Sequence, residues 1–145
     1  MHKDLFHMEN AAQLIHTLLH HLSALYTRES DQILQEQLGI GFAQFKILST
    51  LAENPAGQQK HIAFALGQTE ASISRQIKLL RNKGMLETRI QPQNRREHQT
   101  TLTAKGQRII EAAQNVLDNY QTGSLEHMPP KQQAQLLELL ARIHA

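Results

Sequence analysis

The chain has 145 residues, with 15 Lys and Arg against 13 Asp and Glu and no cysteine or tryptophan. That length carries one domain with a modest core, and the absence of thiols excludes disulfides, thiol redox sensing and cysteine-based zinc sites. No apolar run nears the ~20 residues of a membrane-spanning helix. The opening Met1-His2-Lys3-Asp4 carries an acid and no signal-peptide core, so a cytoplasmic protein without membrane contact is expected.

A long helical pattern runs from about Leu5 to Gln37. Ile15, Leu18, Leu22 and Leu25 recur at spacings of three, four and three, with Leu14, Leu19 and Tyr26 beside them. This apolar face is wide for one helix of a small protein: one edge can lie on its own chain and the other on a partner. Leu38-Gly39-Ile40-Gly41 stops the pattern. Phe42 to Glu53 forms the next helix, with Gly41 as N-cap and Phe45, Leu48 and Leu51 inward. Asn54-Pro55-Ala56-Gly57 ends it.

Two short helices follow. Ile62, Ala63 and Leu66 give the first an apolar face, and Gly67-Gln68 breaks it. The second, about Thr69 to Lys83, starts at a capping threonine with Glu70 in its first turn and ends at Lys83-Gly84. Ile73, Ile77 and Leu80 form its apolar stripe, while Ser74, Arg75, Lys78 and Arg81 lie off that stripe. Ala63, Gly67 and Ile73 have the spacing of a helix-turn-helix, whose second helix lies in the major groove of DNA.

Met85 to Ile90 reads as a strand, Pro92-Gln93-Asn94 as a turn, Arg95-Arg96 as the tip, and His98 to Leu102 as a returning strand. A two-stranded ribbon with arginines at its tip can track the DNA backbone and enter the minor groove. Thr103 caps another long helix, with Ile109, Ala113, Val116, Leu117 and Tyr120 on its buried side and Gly123 near its end. Met128-Pro129-Pro130 turns into a last helix lined by Leu136, Leu137, Leu140 and Ile143.

The charge is unevenly spread. Residues 75 to 108 hold nine bases and two acids, a net +7; the remainder nets −5, which returns the overall +2. The cations thus gather on the second short helix and the ribbon together, where a groove-reading unit needs them. Arg75 has the fork for a guanine edge or a phosphate, and Lys78 suits a phosphate. Gln68, Thr69, Ser72 and Ser74 can bond phosphate or base, while Arg95 and Arg96 would enter the minor groove. The competing role for any one arginine is a salt bridge to Glu70, Glu87 or Glu97. Arg89, inside a strand, reads as structural.

Together, three segments resemble the MarR family of bacterial transcriptional regulators, nearly end to end. They are Gly39-Ile40-Gly41-Phe42-Ala43-Gln44-Phe45-Lys46-Ile47-Leu48, then Ala71 to Leu80 with Lys83-Gly84-Met85-Leu86, and Asn94-Arg95-Arg96 running to Leu102-Thr103-Ala104-Lys105-Gly106. The resemblance implies a mainly α fold with a small two-stranded β wing. It implies a single unit over 1–145, with a winged helix-turn-helix at about 40–103 and dimerisation helices at about 5–37 and 104–145. It also implies a homodimeric repressor on a pseudo-palindromic operator in double-stranded DNA, released by a small phenolic or anionic effector. His20, Tyr26 and Phe45 are the expected walls of the effector pocket, and no cofactor is expected. Ser74 and Arg75 match recognition-helix positions and Arg96 the wing-tip arginine. The family pattern there is Asp-x-Arg; here Asn94 takes the Asp place, where an amide can bond the turn but cannot neutralise an arginine.

Other classes fit less well. There is no glycine-rich phosphate loop, nucleophile elbow or paired-acid constellation, so no enzyme is expected. His16 and His20 stand one helical turn apart, with His21, His7 and His2 near in sequence, and imidazoles suit zinc. No carboxylate or cysteine supports them at a matching spacing. Histidines on a helix surface or dimer seam are therefore expected, with no metal, and a zinc-responsive regulator is the alternative. A winged-helix protein-interaction adaptor would want a neutral or acidic surface where Arg75, Lys78, Arg95 and Arg96 stand.

Overall fold

A computed structural model describes residues 10–55 and 57–144, with the backbone alone for residues 91 and 94–98. Its elements are α1 (Ala11–Leu38), α2 (Phe42–Glu53), α3 (Gln59–Leu66), α4 (Glu70–Asn82), β1 (Leu86–Gln91), β2 (Asn94–Leu102), α5 (Ala104–Ser124) and α6 (Pro130–His144). The expected start of the first helix at Leu5, and His2 and His7, fall outside the described residues. Gly123 lies within α5, which runs on to Ser124 and caps at Leu125.

The core is built from the middle of the chain. Leu34 of α1, Ile47, Leu48 and Leu51 of α2, Ile62 of α3, Ile73, Ile77 and Leu80 of α4, Leu86 of β1, and Ala113 and Leu117 of α5 are all buried. Each is the apolar member of a helical or strand repeat, so the stripes converge on one centre. The ends of the chain behave differently. Of α1 only Ser30 and Leu34 are buried, and no residue of α6 is.

Local chemistry explains the joints. Gly67 takes a left-handed conformation (φ 63°) at the turn between α3 and α4, which a side chain would disfavour. Gln68 N–H then donates to the Ala63 carbonyl at 2.9 Å, closing the turn. The wing is clasped to α5 by Thr103. Its Oγ1 donates to the Gly84 carbonyl at 2.6 Å, and its N–H donates to Met85 O at 3.1 Å. Gly106 makes that clasp sterically possible: a Cβ there would stand 2.2 Å from Met85 O.

The strands pair antiparallel from Leu86↔Leu102 to Ile90↔His98, then jump to Gln91↔Asn94. This corrects the expected wing tip. The turn needs only Pro92 and Gln93, so β2 begins at Asn94 rather than at His98. Arg95 and Arg96 lie within β2, in a bulge where residues 95–97 are inserted against one step of β1.

Candidate nucleic-acid interface

The start of α4 is fixed by three of the expected contact residues. Thr69 is extended (φ −74°, ψ 150°), and its Oγ1 accepts from Ser72 N–H at 3.1 Å. Ser72 Oγ donates to Gln68 Oε1 at 3.4 Å. The capped helix then presents two faces. Ile73, Ile77 and Leu80 are 0%, 2% and 0% exposed, whereas Ser74, Arg75, Lys78 and Arg81 are open to solvent.

The cations divide into three groups by what they touch. Arg75 and Lys78 pair with no carboxylate among the described residues, so their charge is free to meet an anion. Arg89 lies 3.7 Å from Glu87 along β1, a solvent-exposed pair that contributes little to stability. Lys83 Nζ donates to Gly39 O at 3.1 Å, and Lys105 Nζ donates to Lys83 O at 2.8 Å. The last two are fasteners between elements. The sequence counted them in the basic face because no spacing rule links residue 83 to residue 39.

The structure also shows a cleft between α1 and α2 whose lining residues sequence reasoning did not name. It has a volume of about 580 Å³ and is lined by Ala24, Thr27, Arg28 and Asp31 of α1, Phe42, Ala43 and Lys46 of α2, and Gln68 of the helix-turn-helix. Lys46 Nζ sits 5.2 Å from the centre of the Phe42 ring, a cation–π contact, and Asp31 Oδ1 accepts Phe42 N–H at 2.9 Å. Arg28 and Asp31 one turn apart, with Lys46 one turn after Phe42, are the signal that could have located it.

Of the expected pocket walls, none lines this cleft. Tyr26 lies behind it, edge-on to Phe42 at 5.8 Å, and Phe45 stacks on the same ring at 6.2 Å within the core. His20 is exposed on α1, one turn before Ala24. His16 is exposed as well, and among the described residues no three His, Cys, Asp or Glu side chains gather to hold a metal. The side chains of Arg95 and Arg96 lie outside what the structure describes.

A helix-turn-helix with a two-stranded wing, flanked by long helices from both ends of the chain, is a winged helix-turn-helix. The MarR family model matches residues 38–97, the span from the end of α1 through the wing bulge. It is similar to the transcriptional regulator HosA of Escherichia coli O111:H-, 21% identical over 124 residues, which covers 86% of this chain and 92% of that protein. A mutant MarR from E. coli has the same fold with a TM-score of 0.82, at 22% identity over 89% of this chain and 95% of that one. MepR of Staphylococcus aureus, solved in complex with DNA, matches with a TM-score of 0.69, at 23% identity over 87% of this chain and 91% of that one.

Proposed function

We propose that this chain is a cytoplasmic, non-enzymatic transcriptional regulator that binds double-stranded DNA sequence-specifically as a homodimeric repressor. The observation that carries the reading is the solvent face of α4: Arg75 and Lys78, unpaired among the described residues, stand beside Ser74 on a helix whose other face is fully buried. A cationic helix held rigidly on a core is a groove reader. Arg95 and Arg96 in the wing bulge add contacts on the flank, in the minor groove. The part from about 40 to 103 is then the reader, and the terminal helices form the dimer.

The dimer follows from what α1 and α6 leave uncovered. Leu18 and Leu22 of α1, and Leu137 and Ile143 of α6, are large apolar side chains left exposed to solvent. Two such helices at opposite ends of one chain supply the self-complementary surface of a twofold dimer. One reader helix contacts few base pairs, and two give a workable specificity.

The cleft between α1 and α2 supports an anionic or phenolic effector. Arg28 and Lys46 offer cations, Phe42 an aromatic wall, and Gln68 ties the site to the start of α4. Occupancy there would couple to the reader through that residue.

Fluorescence anisotropy with labelled duplexes at two salt concentrations tests the reading. Arg75→Ala with Lys78→Ala should abolish specific binding and lower the salt slope by about 1 for each phosphate no longer neutralised. Full affinity in the double variant would overturn it.

A further inference from the structure

Burial of Ile73, Ile77 and Leu80 fixes which face of α4 points inward and leaves only the fine angle of its roll to be set. On α4 that last freedom is restrained from the flank. Gln44, in the first turn of α2, donates from Nε2 to Gln76 Oε1 at 3.3 Å. Two turns later on the same flank, Lys83 Nζ donates to Gly39 O at 3.1 Å. The two ties are about 10 Å apart along the axis, and both end in the α1–α2 junction.

That junction is itself fixed to the arm. Gly41 N–H donates to Gln44 Oε1 at 3.3 Å, so the amide that holds Gln76 is pinned at its own base. Asp31 of α1 accepts Phe42 N–H at 2.9 Å. A short polar path thus runs from α1 through the first turn of α2 to one flank of α4, on the side away from Arg75 and Lys78.

We infer that Gln44, Gln76 and Lys83 are positioning residues that lock the roll of α4 to the α1–α2 junction, and that this lock sets base discrimination. The inference rests on the reading of α4 as the DNA-facing helix. Base-edge hydrogen bonds tolerate little angular error, whereas phosphate contacts by flexible cations tolerate more. Loosening the roll therefore degrades the choice between sequences more than the overall grip.

The test compares the best duplex recovered by selection with a mixed-sequence duplex. Gln76→Leu and Lys83→Met each remove one tie, and the ratio of the two affinities should fall by about threefold for either and about tenfold for the pair. The salt slope should stay at its starting value, and Gln76→Glu, which keeps an acceptor for Gln44, should retain the original ratio. An unchanged ratio in the double variant overturns the inference. So does an equal loss on both duplexes with a salt slope lower by about 1, which would make Lys83 a phosphate contact.

A second arm needs no DNA. The chain has no cysteine of its own, so Gln32→Cys on α1 and Ala71→Cys on α4 can carry spin labels, diluted with unlabelled chain. The distance distribution between them should broaden when Gln76→Leu and Lys83→Met are added, and an unchanged width overturns the lock. A chain that enriches no duplex while its label distances broaden would sink the DNA reading and leave the lock standing.

Discussion

Helices α4 and α6 carry the same kind of pattern and meet opposite fates. Ile73, Ile77 and Leu80 of α4 are 0%, 2% and 0% exposed, while Leu136, Leu137 and Leu140 of α6 are 38%, 70% and 38% exposed. Amphipathic spacing says that a helix has a face to bury and is silent on what buries it. In α4 the cover is the chain's own core, so the outer face is a fixed platform. In α6 the stripe is open, and a second copy covering it would make its stability depend on concentration.

The contrast breaks most visibly at the arms. Leu137→Asp with Leu140→Asp should cost the dimer on the order of 6 kcal/mol, because each leucine is removed twice across a twofold axis. Sedimentation at micromolar concentration would then find monomer, with the helical content of the reader retained. A variant that still sediments as a dimer removes α6 from the interface.

On the other side of the comparison, Leu80→Ala opens a cavity in a fully buried site and should cost about 2–5 kcal/mol. Thermal melts would show a loss that does not vary with protein concentration. A loss that varied with protein concentration would erase the distinction between the two regions.

Arg96→Ala should weaken operator binding by about 1–3 kcal/mol, read by anisotropy, if the wing bulge delivers this residue to the groove. Unchanged affinity would confine recognition to α4.

The smallest effect sharpens the picture of the core. Ser30 Oγ and Thr100 Oγ1 are buried and have no hydrogen-bond partner among the described residues. Ser30→Ala and Thr100→Val should each raise stability by about 1 kcal/mol in denaturant titrations while leaving DNA affinity as it is. Destabilisation by either would mean that its hydroxyl is satisfied.

How much of this was legible in the sequence follows from the range of each signal. The cap at Thr69, the glycine at 67, the stripe on α4 and the cap at Thr103 are local, and the structure has all four where the spacing put them. The wing tip was misplaced because turn chemistry extends over more residues than the two that the turn uses, and the bulge in β2 leaves no periodic trace. The lining of the cleft was missed for a different reason. Arg28 and Asp31 come from α1, Lys46 from α2 and Gln68 from the turn before α4, and only the packing of α1 on α2 brings them together. Lys83 was counted only as one of the clustered cations and the cation of a helix's last turn, because its target, the Gly39 carbonyl, lies 44 residues away along the chain.

Selection of duplexes from a randomised pool, at two salt concentrations, tests the central claim most directly. A twofold dimer with one α4 in each half-site should enrich a pseudo-palindrome whose halves are about one helical turn apart, with affinity falling steeply as salt rises. An unenriched pool at low salt would contradict the account, and the exposed face of α4 would then have to serve a protein partner.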